Sequence, residues 1–223
     1  MNEDLPSRLP LAYQRGMKDF YGRDFVVTPD VLIPRPETEM VIDIVLSLVG
    51  KPYLPGVRPS EARLPRNITV VDVGTGSGCI AITLKLEIPD ATIIATDISR
   101  KALKIARDNA KKHDVSIEFV ESDLLVNVDR IPDLVVANLP YVDKDWEWID
   151  KKALSVEPQK ALYADNHGLE LILRLIDQVC AKKIQHLILE ADPCQHETIV
   201  EYANKKGLKL VETRGFAFYL ASE

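Results

Sequence analysis

A chain of 223 residues has room for one domain of ordinary size and too little for two. With 46% apolar and 28% charged residues it reads as a soluble globular protein that buries a core without covalent staples. A net charge of −6 counts against a protein that grips many phosphates, and no apolar run approaches the ~20 residues a bilayer span needs.

Cys79, Cys180 and Cys194 form no CxxC pair and the four histidines lack metal-ligand spacing, so neither a disulfide framework nor a metal site is expected. The start, "MNEDLPSRLP", has neither the basic nor the apolar region of a signal peptide, and the expected location is the cytoplasm.

Residues 17–33, "MKDFYGRDFVVTPDVLI", predict a β-hairpin with Phe20 and Phe25 flanking a turn at Gly22-Arg23. "PRPETEMVIDIVLSLV" then predicts a helix, with Pro36 at its first position and Glu37 and Glu39 at the positive end of its dipole. Residues 50–67 hold four prolines and two glycines and predict an irregular connection. From "NITVVDV" onward strands and helices alternate: "CIAITLKLEI" (helix), "ATIIATD" (strand), "RKALKIARDNAKKHD" (helix capped by Ser99), then "SIEFVES" and "DLVVAN" (strands). "HGLELILRLIDQVCAK" (helix), "IQHLILEA" (strand), "CQHETIVEYANKKG" (helix) and two closing strands around Arg214-Gly215 complete the chain.

Such alternation predicts an α/β fold with a mainly parallel sheet covered on both faces, closed by an antiparallel strand. The candidate boundary separates an N-terminal segment with the hairpin, 1–35, from the main domain, 36–223.

"VVDVGTGSGCIA" joins the first sheet strand to its helix, and glycines 74, 76 and 78 allow a tight turn and close ligand approach. The loop lacks the lysine of a P-loop, and counting GxGxxG from Gly74 puts Cys79 at the third glycine. Asp72, two residues before the loop, disfavours a pyrophosphate and suits a ligand with an ammonium or sulfonium group. Asp97, at the end of the second strand, is placed to accept from ribose hydroxyls. Asp123 can face an adenine amino group, with Leu124 packed on the ring. Asp72, "GTGSG", Asp97, Asp123 and Asn138 all fall at strand C-terminal edges, where open α/β sheets bind ligands, and the cofactor they predict is S-adenosylmethionine.

The fourth strand ends in Asn138-Leu139-Pro140-Tyr141. A turn explains Asn and Pro equally well in isolation. On a methyltransferase sheet the segment reads as a clamp for a planar amide or aromatic amine: Asn138 Oδ1 and the Leu139 carbonyl accept its two N–H bonds. Pro140 stiffens the turn, and Tyr141 stacks on the substrate.

Taken together, "FYGRDFVVTPDVLIPRPETE", "VVDVGTGSGCIAI", "VVANLPYV" and "EPQKALYADNHGLELI" resemble the HemK-type glutamine methyltransferases, which modify the Gly-Gly-Gln glutamine of class-1 peptide release factors. The resemblance implies the class I S-adenosylmethionine-dependent fold (Rossmann-like) and a release factor as partner, with nucleic acid disfavoured as substrate. It places Gly74, Thr75, Gly76, Ser77, Gly78, Asp97, Ile98, Leu124 and Asn138 around the cofactor. It places Asn138 to Tyr141 on the substrate amide, and Arg35, Pro36 and Thr38 at the mouth of the site. Leu139 departs from the family's Asn-Pro-Pro-Tyr, and "NLPY" also resembles the motif of ribosomal RNA adenine dimethylases. Adenine-N6 methylation is therefore the second expectation, ahead of a non-catalytic cofactor-binding module and a dehydrogenase. The family usually carries an N-terminal helical domain that the sequence, opening close to the hairpin, is expected to lack.

Overall fold

The computed structural model describes residues 9–51 and 64–222, so the expected irregular connection at 50–67 falls mostly outside the described residues. A short helix, α1 (Leu11–Arg15), leads into a hairpin of β1 (Met17–Phe20) and β2 (Arg23–Val26). Phe20 pairs with Arg23, so the turn is Tyr21-Gly22 and Arg23 already belongs to the second strand. Both turn residues have positive φ, 51° and 68°, as a two-residue turn matched to strand twist demands. Pairing ends at Val26; residues 27–35 continue without regular structure, short of the strand expected to run to 33.

A 3-10 turn, Pro36–Thr38, with Pro36 near its start, opens into α2 (Glu39–Leu48). Then come β3 (Thr69–Val73), α3 (Cys79–Glu87), β4 (Thr92–Asp97), α4 (Arg100–Lys112), β5 (Glu118–Glu121) and β6 (Leu134–Ala137). A one-turn helix, α5 (Lys151–Leu154), precedes α6 (Glu170–Ala181), β7 (His186–Glu190), α7 (His196–Lys205), β8 (Leu208–Arg214) and β9 (Ala217–Ser222). Ser99 caps α4 as expected, its hydroxyl accepting from the Ala102 N–H.

Among the described residues the main sheet has seven strands in the order β5-β4-β3-β6-β7-β9-β8. The first five are mutually parallel, and β9 runs antiparallel to both β7 and β8. Alternation along the central strands splits the core in two. Val70, Leu134 and Val136 face a cluster with α2, α3 and the hairpin's Phe20 and Phe25; Val71, Val73, Val135 and Ala137 face one with α6 and α7. The hairpin thus shares its core with the sheet, which stabilises a unit too small to stand alone. A third cluster pins Tyr13, Val27, Val31 and Ile33 onto Ala102 and Ile105 of α4. That packing lays residues 27–35 across the C-terminal edge of the sheet.

Candidate active site

A cavity of about 580 Å³ opens over the C-terminal ends of β3, β4 and β6, where the strand order reverses between β3 and β6. Such switch points are where open α/β sheets bind ligands. The volume suits a ligand of nucleoside size.

On one side lies the loop after β3, with Gly74, Thr75, Gly76 and Ser77 in the wall. Asp97 stands opposite. Its Oδ2 accepts from the Gly76 N–H at 3.0 Å and its Oδ1 from the Ser99 N–H at 2.8 Å. Burial pushes this carboxyl up, and the backbone N–H bonds oppose the rise. Ile98 beside it also lines the cavity and is largely exposed.

Asp72 does not reach the wall. It is fully buried, and its Oδ2 accepts from Thr75 Oγ1 at 2.6 Å and from the Ala81 N–H at 3.2 Å. Strand alternation explains this: Val73 lines the cavity, while Asp72 faces α3 on the other side of the sheet. Its carboxyl, pushed up to about 7 by burial, ties the glycine loop to the helix behind it through Oδ2, and among the described residues its Oδ1 is buried without a hydrogen-bond partner. Gly78 is likewise behind the wall. Its φ is +83°, and a Cβ there would lie 3.2 Å from Ala106 Cβ, so the residue lets α3 and α4 pack closely.

Asp123 and Leu124 line the adjoining wall, Leu124 with a positive φ of 54°. Asp123 is paired with Arg174 of α6 at 2.6 Å, and Arg174 is itself a wall residue. The sequence reading missed Arg174, which sits in a helix read only for its amphipathic period.

Asn138, Leu139 and Pro140 form the third wall. Asn138 Nδ2 donates to Thr38 Oγ1 at 2.9 Å, joining the end of β6 to the turn before α2. Thr38 is buried, deeper than the expected mouth position, and still borders the cavity. Pro36 does not border it; the proline starts the turn that presents Thr38. Tyr141 lies behind the wall, its hydroxyl donating to Glu190 Oε1 at 3.2 Å. Burial pushes the tyrosine hydroxyl far up, so it remains protonated.

Glu190, the last residue of β7, was not singled out from sequence. It is 1% exposed, and burial pushes its carboxyl up to about 7 against the opposing bond from the Tyr141 hydroxyl; among the described residues its Oε2 is buried without a hydrogen-bond partner. A carboxylate at a parallel strand's C-terminal end was available as a signal, as it was for Asp97.

Arg35 borders the mouth, paired at 2.5 Å with the buried Glu157, whose other oxygen accepts from the Ile33 N–H. This pair straps residues 31–35 to the segment after β6. Among the described residues no group of three or more His, Cys, Asp or Glu side chains could hold a metal ion, and no helix is long and apolar enough to cross a membrane.

The Methyltransferase small domain family matches residues 61–154. A release factor glutamine methyltransferase from Koribacter versatilis is 43% identical over 173 residues, 76% of this chain and 57% of the relative. One from Staphylococcus aureus is 37% identical over 206 residues, 91% of this chain and 66% of the relative. The chain belongs to the release factor glutamine methyltransferase family. It spans 57% and 66% of the length of these two relatives. Among solved structures, a methyltransferase from Pyrococcus furiosus superposes with a TM-score of 0.64 at 14% identity, covering 91% of this chain and 90% of that one. A Thermus thermophilus 16S rRNA methyltransferase, solved with AdoMet and guanosine, superposes at 0.62 with 11% identity, over 93% of this chain and 50% of that one. At such identities the likeness is one of fold: the class I methyltransferase sheet.

Proposed function

We propose that the chain transfers a methyl group from S-adenosylmethionine to the side-chain amide nitrogen of a protein glutamine, the Gly-Gly-Gln glutamine of a class-1 peptide release factor, in the cytoplasm. The observation that carries the reading is the hydrogen bond from Asn138 Nδ2 to Thr38 Oγ1 at the cavity wall: with the donor end so engaged, Oδ1 is the end we assign to the substrate N–H.

The residues present fit the cofactor. Asp97 already accepts two backbone bonds and keeps lone pairs for ribose hydroxyls. Leu124 offers an apolar surface to an adenine ring, and Asp123 a carboxylate to its amino group, shared with Arg174. When bound, S-adenosylmethionine supplies an electrophilic methyl carbon on a sulfonium.

The protein's part is to aim the acceptor. An amide nitrogen gives its lone pair to the carbonyl and attacks poorly. Asn138 Oδ1 and the Leu139 carbonyl hold its two N–H bonds, orient the nitrogen in line with the methyl carbon, and favour the positive charge that grows on it. Transfer would exchange the sulfonium C–S bond for the new N–C bond, with the surplus N–H proton lost to water. Pro140 shapes the wall beside a planar group, and Tyr141, anchored by Glu190 behind that wall, supports it in place of the expected stacking contact. Arg35 borders the entrance that a substrate backbone would pass, and Thr38 borders the cavity from deeper in the wall.

Adenine-N6 methylation is the second reading. Lys144, Lys151 and Lys160 surround a smaller cavity of about 450 Å³ that shares Gln159, Lys160 and Tyr163 with the main one, a setting that suits a phosphate. Labelled cofactor offered with a release factor, with the same factor lacking the glutamine, and with structured RNA separates the two. Label on the intact release factor alone is the expected result. Label on RNA alone would reassign the clamp to adenine.

A further inference from the structure

We propose that Arg174 is a positioning residue which, by holding one oxygen of Asp123, aims the other at the amino group of the cofactor's adenine and so sets the base preference. The proposal rests on the reading of Asp123 as the acceptor for that amino group.

Residues 122–128, after β5, carry the adenine wall, and α6 grips them at three points. Arg174 Nη2 donates to Asp123 Oδ2 at 2.6 Å, and Gln178 Oε1 accepts from the Leu125 N–H at 2.8 Å. Lys182 Nζ, at the end of the helix, donates to the Val128 carbonyl at 2.9 Å. The three side chains stand four residues apart, so they form one ladder along a single face of the helix. The loop they hold includes Leu124 at a positive φ of 54°, a conformation costly for a residue with a side chain. Two of the three bonds engage backbone. The Arg174 bond alone reaches a side chain that lines the cavity.

A carboxylate on a loop turns freely unless a partner fixes it. Arg174 is itself fixed, because its Nη1 faces Glu170 Oε1 one helical turn earlier, at 3.8 Å. The guanidinium is planar, so engagement at both ends sets the direction from which Asp123 is held. Among the described residues Asp123 Oδ1 has no donor, and Asp123 borders the cavity beside Leu124. Oδ1 is therefore the oxygen left for a ligand N–H. The two side chains are 41% and 43% exposed, so the pair contributes little to stability and acts through direction.

Paired with a guanidinium, the carboxylate only accepts. Adenine offers it an amino group. Hypoxanthine, the deaminated base, offers a carbonyl oxygen in the same place, and its lone pairs meet those of Oδ1. The fixed carboxylate thus selects for the first base and against the second.

Calorimetry with S-adenosylhomocysteine and with S-inosylhomocysteine, its deaminated analogue, reads this preference without turnover or a protein substrate. The parent is expected to bind the adenine form about 30-fold more tightly. Arg174→Met keeps an apolar stem and removes the fork, and the exposure of the side chain leaves the core intact. The variant should bind the adenine form about tenfold more weakly and the inosine form within about threefold of the parent, so the preference shrinks to a few-fold. Equal weakening of both ligands, or a preference as large as the parent's, overturns the proposal and leaves Arg174 as loop support. Asp123→Asn, whose carboxamide presents either end, should lose the preference too. A parent that prefers neither base, or an Asp123→Asn variant that keeps the preference, refutes the placement of Asp123 on the amino group and the proposal with it.

Discussion

The cavity has two halves built on different principles. The ribose end of the cofactor half, at the ends of β3 and β4, is assembled from nearer pieces: Asp97 reaches the Ser99 N–H two residues on and the Gly76 N–H of the neighbouring loop. Only the adenine end, Asp123 with Arg174, draws on a distant partner. The acceptor half is assembled from distant pieces. Thr38 meets Asn138, Tyr141 meets Glu190, and Arg35 meets Glu157, each pair drawn from segments far apart in the chain. The first half presents backbone and carboxylate to a ligand. In the second, side chains hold one another so that a single carboxamide points one way.

Substitutions that affect one half and spare the other sharpen this contrast. The largest expected effect is on cofactor binding: Asp97→Ala should raise the dissociation constant for S-adenosylmethionine by about 100-fold, as loss of hydrogen bonds to a charged acceptor implies. Calorimetry measures it, and an unchanged constant would remove Asp97 from the ribose site. Turnover at saturating cofactor should drop only a few-fold.

Next comes Gly168→Ala. At φ +81° a Cβ would stand 2.0 Å from the Tyr141 carbonyl oxygen, so the segment carrying Tyr141 must move. A loss of about 2 kcal/mol in urea unfolding and a roughly tenfold fall in turnover are expected, with cofactor affinity unaltered. If cofactor binding weakened in step, the two halves would not be separable.

A smaller effect concerns pH. Asp72 in the folded protein holds its proton up to about pH 7, against an ordinary value of 3.8. Between these limits the folded state binds more protons than the unfolded chain, so stability contributed below about pH 4 is lost as pH rises through 7. Glu190 acts in the same direction. Asp72→Asn should flatten the decline by on the order of 1 kcal/mol across that window, read from unfolding curves at pH 5 and 8. A slope equal to the parent's would mean that Asp72 titrates normally.

The same local–distant contrast decides what could be read from the sequence. The glycine loop, Asp97 and the Ser99 cap follow from spacing and strand ends, and the parallel sheet follows from alternating elements. Asn138 was legible as chemistry, yet its partner Thr38 was placed only at the mouth, because no local pattern pairs residues across 100 positions. Asp72 was legible as an acid beside the loop, yet its burial against α3 follows from strand alternation rather than from the glycine pattern. Helix α1 gave little signal: five residues, with Pro10 as a cap that makes no side-chain hydrogen bond. Helix α5 did carry one, Asp150 accepting from the Lys152 and Ala153 N–H groups, in a stretch with no periodicity to frame it.

Asn138→Ala, measured twice on one preparation, tests the division most directly. The dissociation constant for S-adenosylmethionine should stay within about threefold of the parent's, while single-turnover methyl transfer to a release factor falls about 100-fold or more. Transfer at the parental rate, or an affinity loss that accounts for the whole fall, would contradict the amide clamp.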